Sequence, residues 1–349
     1  MTFEEARAQF PVLERVAYLN AGTFGPLARA TVEAQEAQAR RELAEGRRGK
    51  PYFDELLALR EEVRGRLAAL VGAPAEAVAL TTSTTDGAAV VLAGLGLGPE
   101  DEVVTTAEEH FGLLGALRSS PARVVVAPAD PELIVAAVTP RTRLLALSQV
   151  LWTTGRELPV RELRAATGLP VLVDGAQSVG AIRVDAAGLD FLTISGQKWL
   201  CGPDATGGLV VADPERLRMA RPTIFGRTAH EPNGAFTPRD GAARFDTGAQ
   251  PLPSLRGLLA ALDAMPDWAY DGAAGAADRC RERLARRFPV EHGDATLVSF
   301  RPEGDAAETA LRLGEADVVI RDIPGSGLLR ASCGWWTSDG DLDRLLEAL

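Results

Sequence analysis

The sequence predicts an α/β protein: a large unit built on a mostly parallel sheet of about seven strands, followed by a small α+β unit. Three observations point there. From Ala77 to Val211, short apolar runs alternate with stretches of helical periodicity. Several runs, Val171 to Val173 and Phe191 to Ile194 among them, are continuously apolar, the pattern of strands covered on both faces. The runs also end in polar loops rich in Gly, Ser and Thr. With 349 residues, 46% hydrophobic and 24% charged, the chain has room for about two domains and a sizeable core.

Taken in order, Phe3 to Phe10 has the spacing of a short amphipathic helix. Tyr18-Leu19-Asn20 then leads into the glycine-flanked turn Gly22-Thr23-Phe24-Gly25-Pro26, which reads as a connector more readily than as a pocket wall. Ala28 to Glu45 and Tyr52 to Val71 are helical, separated by the basic stretch Gly46 to Lys50, a solvated linker. Val78 to Thr81 is the first strand of the sheet, and Thr82-Ser83-Thr84-Thr85-Asp86-Gly87 opens an apolar helix after it. Those hydroxyls serve either as plain caps or, with free backbone N–H groups and the helix dipole, as a cup for a single phosphate. No Gly-Lys-Thr follows, so this is not a Walker loop.

Glu102 to Thr105 is the next strand and runs into Glu108-Glu109-His110. Of the three histidines, His110, His230 and His292, only His110 follows directly on a sheet strand. It is either a surface or capping residue or an imidazole that stacks on an aromatic cofactor and assists proton transfer. Arg123 to Val126, Arg143 to Leu147, Val171 to Asp174, Phe191 to Ile194 and Gly208 to Val211 complete the strand series. Pro222 to Gln250 lacks periodicity, and a loop of that length is expected to reach a neighbouring subunit. Helices over Pro253 to Met265 and Trp268 to Phe288 precede a strand at Thr296 to Arg301, a helix ending near Leu313, strands at Val318 to Arg321 and Leu328 to Ser332, and a last helix from Asp339. The expected domains are residues 20–252 (large) and residues 253–349 joined by 1–19 (small).

Charge and cysteine usage narrow the function classes. Thirty-seven basic and 48 acidic residues give a net charge of -11, which disfavours nucleic acid or an anionic membrane as a partner. Cys201, Cys280 and Cys333 lie too far apart for a disulfide framework or a zinc site, which fits a reducing, cytoplasmic setting. The acidic N-terminus MTFEEARAQF lacks the apolar core of a signal peptide, no apolar run is long enough to span a membrane, and no metal is expected.

The chemistry concentrates in Val171 to Lys198. Two buried strands end there, one in Asp174 and the other in Ser195-Gly196-Gln197-Lys198, at the sheet edge where open α/β sheets bind ligands. An Asp before Gly is also a common turn former, and a Lys beyond a strand is commonly solvated. The alternative is a pyridoxal phosphate site, in which the lysine condenses with the aldehyde and the carboxylate keeps the pyridine nitrogen protonated.

The rest of the chain favours that alternative. Tyr18-Leu19-Asn20, Thr82-Ser83-Thr84-Thr85, Glu109-His110, Gln149-Val150 to Gly155, Asp174-Gly175-Ala176-Gln177, Ser195 to Pro203 and Leu329-Arg330-Ala331-Ser332 occur in the order and spacing of a known family. Together they resemble the class V aminotransferases, the fold-type I pyridoxal phosphate enzymes that include cysteine desulfurases and isopenicillin N epimerase-like enzymes. The resemblance covers nearly the whole chain. It implies pyridoxal 5'-phosphate as cofactor, Lys198 as the Schiff-base lysine, Asp174 as the partner of the pyridinium nitrogen and His110 stacked on the ring. It also implies Gln177 on the phenolic oxygen, with Thr84, Thr85 and Ser195 as phosphate ligands. Arg330 would clamp the substrate α-carboxylate, with Asn20 beside it in the substrate site. A homodimer acting on a small amino-acid substrate is expected on the same ground.

The departures from the family pattern are informative. Gln197 stands where many relatives have His, and its amide can still donate to phosphate. Ala249 occupies the place of a phosphate-binding Thr, and Trp152 that of a polar Asn. Desulfurases need a nucleophilic cysteine on a mobile loop before the clamp arginine, yet Arg321 to Leu329, RDIPGSGLL, is short and holds none. Cys201 and Cys333 read as packed residues. The expected activity is therefore Cα deprotonation of an L-amino acid followed by β-elimination from a cysteine S-conjugate, a C–S lyase. Aminotransfer and epimerisation use the same residues and stay open, as does a non-catalytic cofactor-binding protein.

Overall fold

A computed structural model describes residues 1–349. Seven strands form one sheet in the order Val78–Thr81, Gly207–Val211, Phe191–Ser195, Val171–Asp174, Thr142–Ser148, Glu102–Thr106, Arg123–Ala127. Gly207–Val211 runs antiparallel to both neighbours and every other pair is parallel. This is the α/β architecture the apolar runs predicted.

Continuous apolar runs reflect burial on both faces. Leu145, Leu147, Val171, Val173, Leu192 and Ile194 enter one core, while their neighbours Leu144, Ala146, Leu172 and Phe191 enter the other. The helix Gly49–Leu70 covers the first core through Leu56, Leu59, Val63 and Leu67, one stripe of its surface. Thr84–Leu95 and Phe111–Ser119 cover the second with Val91, Leu92, Leu113 and Leu117. The helix begins at Gly49 rather than Tyr52, so the end of the expected linker forms its first turn. Pro51 is tolerated there because first-turn N–H groups have no intrahelical acceptor, and Lys50 pairs with Asp54 one turn on.

In the small unit, Leu297–Phe300 and Arg321–Ile323 flank Leu328–Ser332, all antiparallel. Leu284, Phe300, Leu313, Leu329 and Leu342 fill its core. The strand expected over Val318 to Arg321 is split: Val318–Val319 pairs in parallel with Ala17–Tyr18, and Arg321 opens the second strand of the three-stranded sheet. An isolated bridge joins Asn20 to Ser332. The helix Leu252–Ala264 packs Leu252, Leu255, Leu258 and Leu259 into the first core of the large sheet.

The aperiodic segment from Pro222 to Gln250 has two halves. Arg227–His230 and Phe236–Pro238 form an exposed hairpin, whereas Gly241–Phe245 is a buried 3₁₀ turn. Asp246 fastens the second half to the sheet, accepting from Leu80 N at 2.8 Å, Arg64 Nη2 at 2.8 Å and Arg60 Nη2 at 3.0 Å. All three side chains are buried. No helix is long and apolar enough to cross a membrane.

Candidate active site

The loop after Phe191–Ser195 folds back on itself. Gly196 N donates to Thr206 O and Gly202 N to Gly196 O, both at 2.8 Å, while Cys201, left-handed at φ 52°, closes a turn onto Lys198 O at 3.0 Å. The N-terminal turn locks this loop from outside, with Gly25 N donating to Gln197 O at 2.8 Å. A Cβ on Gly25 would stand 2.1 Å from Lys198 O, so only glycine permits the approach. Gly22–Pro26 is therefore part of the site wall and not the simple connector its composition suggested. Burial lowers the Lys198 amine to about 8; Asp174 opposes that shift, and the Arg330 and Arg321 charges add to it.

Asp174 ends the neighbouring parallel strand, opposite Thr193. Its Oδ1 accepts from Ala176 N at 2.9 Å and Thr193 Oγ1 at 3.4 Å, bonds that fix the buried carboxylate. On the other side, Ser148 is its strand neighbour, and Ser148 N donates to Glu109 Oε1 at 3.0 Å. Glu109 also accepts from Thr106 Oγ1 at 3.0 Å. Burial pushes Glu109 up to about 7 against the pull of its Ser148 bonds, and Asp174 pushes the same way.

Gln177 is bonded at both ends. Its Nε2 donates to Gly22 O at 2.9 Å and its Oε1 accepts from Trp199 Nε1 at 3.0 Å. Beside it, a Cβ on Gly22 would meet Arg330 Nη2 at 2.7 Å. Arg330 is 1% exposed, and its Nη1 donates to Trp152 O at 2.7 Å while Nε and Nη2 have no partner. Burial lowers this guanidinium to about 9, with Arg321 adding to the effect. An unpaired buried cation is costly, so such a group is built to meet an anion.

His110 is the N-cap of Phe111–Ser119, with Nδ1 accepting from Gly112 N at 3.0 Å. That bond leaves the proton of the neutral ring on Nε2. Burial, followed by the Lys198 charge, lowers the His110 pKa, and its ring meets Trp152 edge-on at 5.1 Å. At the next helix N-terminus Ser83 is the cap, accepting from Asp86 N at 3.1 Å, and Asp86 turns back to Thr82 N at 3.1 Å. Thr84 and Thr85 stand outside that exchange in the first turn. A Cβ on Gly112 would lie 2.7 Å from Thr85 Oγ1, so the close approach of the two helix starts requires glycine at residue 112. Ser195 Oγ donates to Gln197 Oε1 at 2.8 Å, which leaves the Gln197 NH₂ as the free donor of that pair.

The structure thus gathers the residues singled out in the sequence. Asp174, Arg330 and Arg321 all act electrostatically on Lys198, and the same set together with Lys198 acts on His110. Asn20 accepts from Thr23 Oγ1 at 2.8 Å, and Thr23 Oγ1 in turn accepts from Arg321 Nη1 at 3.3 Å. Sequence reasoning missed Gly22, Trp199, Thr193 and Arg321; only the glycine spacing of the turn offered a signal, because the other partners meet across long chain separations. The unmet donors of Arg330 fit a carboxylate-bearing substrate, and the free first turn at Thr84 and Thr85 fits a cofactor with one phosphate.

A buried amine and a fixed carboxylate at neighbouring ends of a parallel sheet are features of pyridoxal-phosphate-dependent enzymes, and solved relatives carry that cofactor on the same fold. Within that class the chain belongs to the class V aminotransferase family, whose profile matches residues 18–293. It is 31% identical to an isopenicillin N epimerase of Streptomyces clavuligerus, over 99% of this chain and 97% of that protein. A cysteine desulfurase, CsdA, of Escherichia coli is 30% identical over 98% of this chain and 96% of its own. Among solved structures, C-DES with glycine covalently linked to its cofactor superposes with a TM-score of 0.91 at 25% identity, over 98% of both chains. A second C-DES structure, described as a cystine C–S lyase with its product cysteine persulfide, gives 0.89 at 25% identity over 97% of this chain and 98% of its own.

Proposed function

We propose that the chain is a C–S lyase that eliminates sulfur from the β-carbon of a cysteine S-conjugate. The observation that carries this reading is the state of the cysteines in a fold shared with a cystine C–S lyase. Cys201, Cys280 and Cys333 are all buried, and burial pushes the Cys201 thiol far up, with Cys333 raised by its contact to Cys280 and by burial. No exposed thiol is available to take sulfur from a substrate, so sulfur would leave as a free group.

Bound pyridoxal phosphate would supply an electron sink for the pair left when the Cα–H bond breaks. Lys198 and Asp174 would hold it at aldehyde and ring nitrogen, Gln177 at the phenolic oxygen, and Thr84, Thr85, Gln197 and Ser195 around the phosphate. Arg330 takes the α-carboxylate through Nε and Nη2, its two unmet donors, with Asn20 at the edge of that site. Lys198 Nζ, lowered towards neutrality, receives the Cα proton. The Cα–H pair becomes the Cα–Cβ double bond as the Cβ–S pair leaves on sulfur; the released 2-aminoacrylate tautomerises to the imine, and water cleaves its C=N bond to give pyruvate and ammonia. His110, fixed with its proton on Nε2, would pack over the ring and cannot act as a base at that nitrogen without losing that proton first.

A second reading, epimerisation, is favoured by the 31% identity to an isopenicillin N epimerase. Turnover of L-cystine and S-alkyl cysteines by the holoprotein separates the two. Stoichiometric pyruvate, ammonia and released sulfur, absent in Lys198→Ala, support elimination. Inversion at Cα without pyruvate overturns it in favour of the epimerase, and a keto acid of unchanged skeleton overturns it in favour of aminotransfer.

We also propose a homodimer. Phe111 beside His110 is 79% exposed, and Phe24, Ile224 and Phe236 are exposed in the site-wall turn and the hairpin segment. Apolar surface at these places suits a partner that covers it. Light scattering that gives the mass of one chain in an active sample would rule this out.

A further inference from the structure

Five carboxylates of the chain are buried: those of Glu102, Glu109, Asp174, Asp246 and Asp341. Three are matched by arginines. Arg141 meets Glu102 at 2.8 Å, Arg60 and Arg64 share Asp246, and Arg7 meets Asp341 at 2.6 Å. Glu109 and Asp174 have no cation within ion-pair distance. The ring nitrogen accounts for Asp174, whereas Glu109 is met only by neutral donors: Ser148 N at 3.0 Å, the Ser148 hydroxyl, and Thr106 Oγ1 at 3.0 Å. A buried acid placed this way holds its charge at a cost, which needs a reason.

The sheet brings these two acids together. Ser148 and Asp174 are register partners on adjacent parallel strands, so their side chains leave the same face from strands about 4.8 Å apart. Glu109 accepts from the Ser148 hydroxyl and therefore stands on that face, one hydrogen bond from the strand neighbour of Asp174. The other titratable groups around it are already engaged. Glu108 accepts from Thr153 Oγ1 at 2.6 Å and lies 3.6 Å from Arg156, and burial followed by the Lys198 charge lowers the His110 pKa. Lys198 feels Asp174, Arg330 and Arg321. Asp174 is the one charged group that pushes Glu109 upward, in the same direction as burial.

We infer that Glu109 is a positioning residue for the cofactor, tying the His110 loop to the strand end beside Asp174 and reinforcing, by its charge, the hold of the site on protons at the ring nitrogen and at Lys198 Nζ. It acts through Ser148 and Asp174. A second negative charge behind Asp174 favours the protonated form of every nitrogen that Asp174 serves. The protons on Glu109 and on Lys198 Nζ are then coupled, so neither titrates alone. This rests on the roles given above to Asp174 and Lys198, but not on the fate of the Cα carbanion.

The test titrates the visible absorption band of the holoprotein, whose position reports the proton on Lys198 Nζ. Glu109→Gln keeps the size and hydrogen bonds of the side chain and removes its charge. The midpoint should fall by about one pH unit, the order expected for one charge acting across a polar interior. Ser148→Ala removes a donor but leaves the acid, which then ionises less readily, and should move the midpoint the same way by about half as much. A merely structural role for Glu109 would lower the melting temperature of the variants and leave the midpoint where it is. An unmoved or raised midpoint in Glu109→Gln with the band retained would overturn the inference. Should Glu109→Gln fail to hold the cofactor, Ser148→Ala decides by the same criterion. A wild type with no visible band, or a band that survives Lys198→Ala, sinks the reading of Lys198 and this inference with it. A titrating band lost in Lys198→Ala but indifferent to both other substitutions sinks the role of Glu109 alone.

Discussion

Trp199, the residue after Lys198, donates its indole N–H to Gln177 Oε1 at 3.0 Å, and so sets which end of that carboxamide faces Gly22. Removing the donor frees the amide to rotate. Trp199→Phe keeps most of the buried ring and is predicted to cut kcat about tenfold, the worth of one hydrogen bond in a positioning role, with little change in KM. A shifted visible absorption maximum in the variant would mark altered hydrogen bonding at the cofactor; unchanged kcat and spectrum would show that Gln177 holds its pose without the indole.

Arg330→Ala deletes both unmet donors together with the bond to Trp152 O. KM for an amino-acid substrate is predicted to rise about 100-fold, within the range for losing one side of a buried charge pair, with Arg330→Lys between the two. Initial-rate kinetics at saturating cofactor decide it.

Glu109 gives a pH signature of its own. Its folded pKa is about 7 against an ordinary 4.5, so between those values the unfolded chain has already lost a proton that the folded one keeps. The stabilising contribution is complete below 4.5 and disappears as pH rises through 7. With each pH unit worth about 1.4 kcal/mol, up to roughly 3 kcal/mol is at stake. Glu109→Gln should flatten the change in urea midpoint between pH 5 and pH 8, and a wild-type-like slope in the variant would assign the effect to other groups.

Asp246→Ala leaves two buried guanidinium groups and the Leu80 N–H without their acceptor. A loss of about 3–5 kcal/mol is predicted from urea unfolding. Because Leu80 is one residue from the end of the strand that leads to Thr84, cofactor affinity should fall as well. A purely exposed pair would cost a small fraction of this.

What could be read from the sequence, and what could not, divides along the range of the interaction. Strand existence, Lys198 and Asp174 at strand ends, and the helix start at Thr84 follow from local pattern, since apolar runs and caps are encoded by neighbours in the chain. Direction is not local: Gly207–Val211 has the same fully buried pattern as its parallel neighbours and runs the other way. Nor are partners. Asp246 sits in an aperiodic loop, and its role appears only when the helix Gly49–Leu70 brings Arg60 and Arg64 to it across more than 180 residues. Arg321 carries no mark in the sequence, and only its register with Arg330 places the two side by side.

The residues from Ala17 to Gly25 belong to both units of the molecule. Their first part is paired with Val318–Val319 and Ser332, their last part with Gln197 beside Lys198, and Gly22 O in between holds Gln177. A displacement of the three-stranded sheet relative to the large sheet would therefore pull on the same strip of backbone that steadies Gln177. Substrate capture at Arg330 and the pose of Gln177 would then be mechanically geared to each other through one short tether.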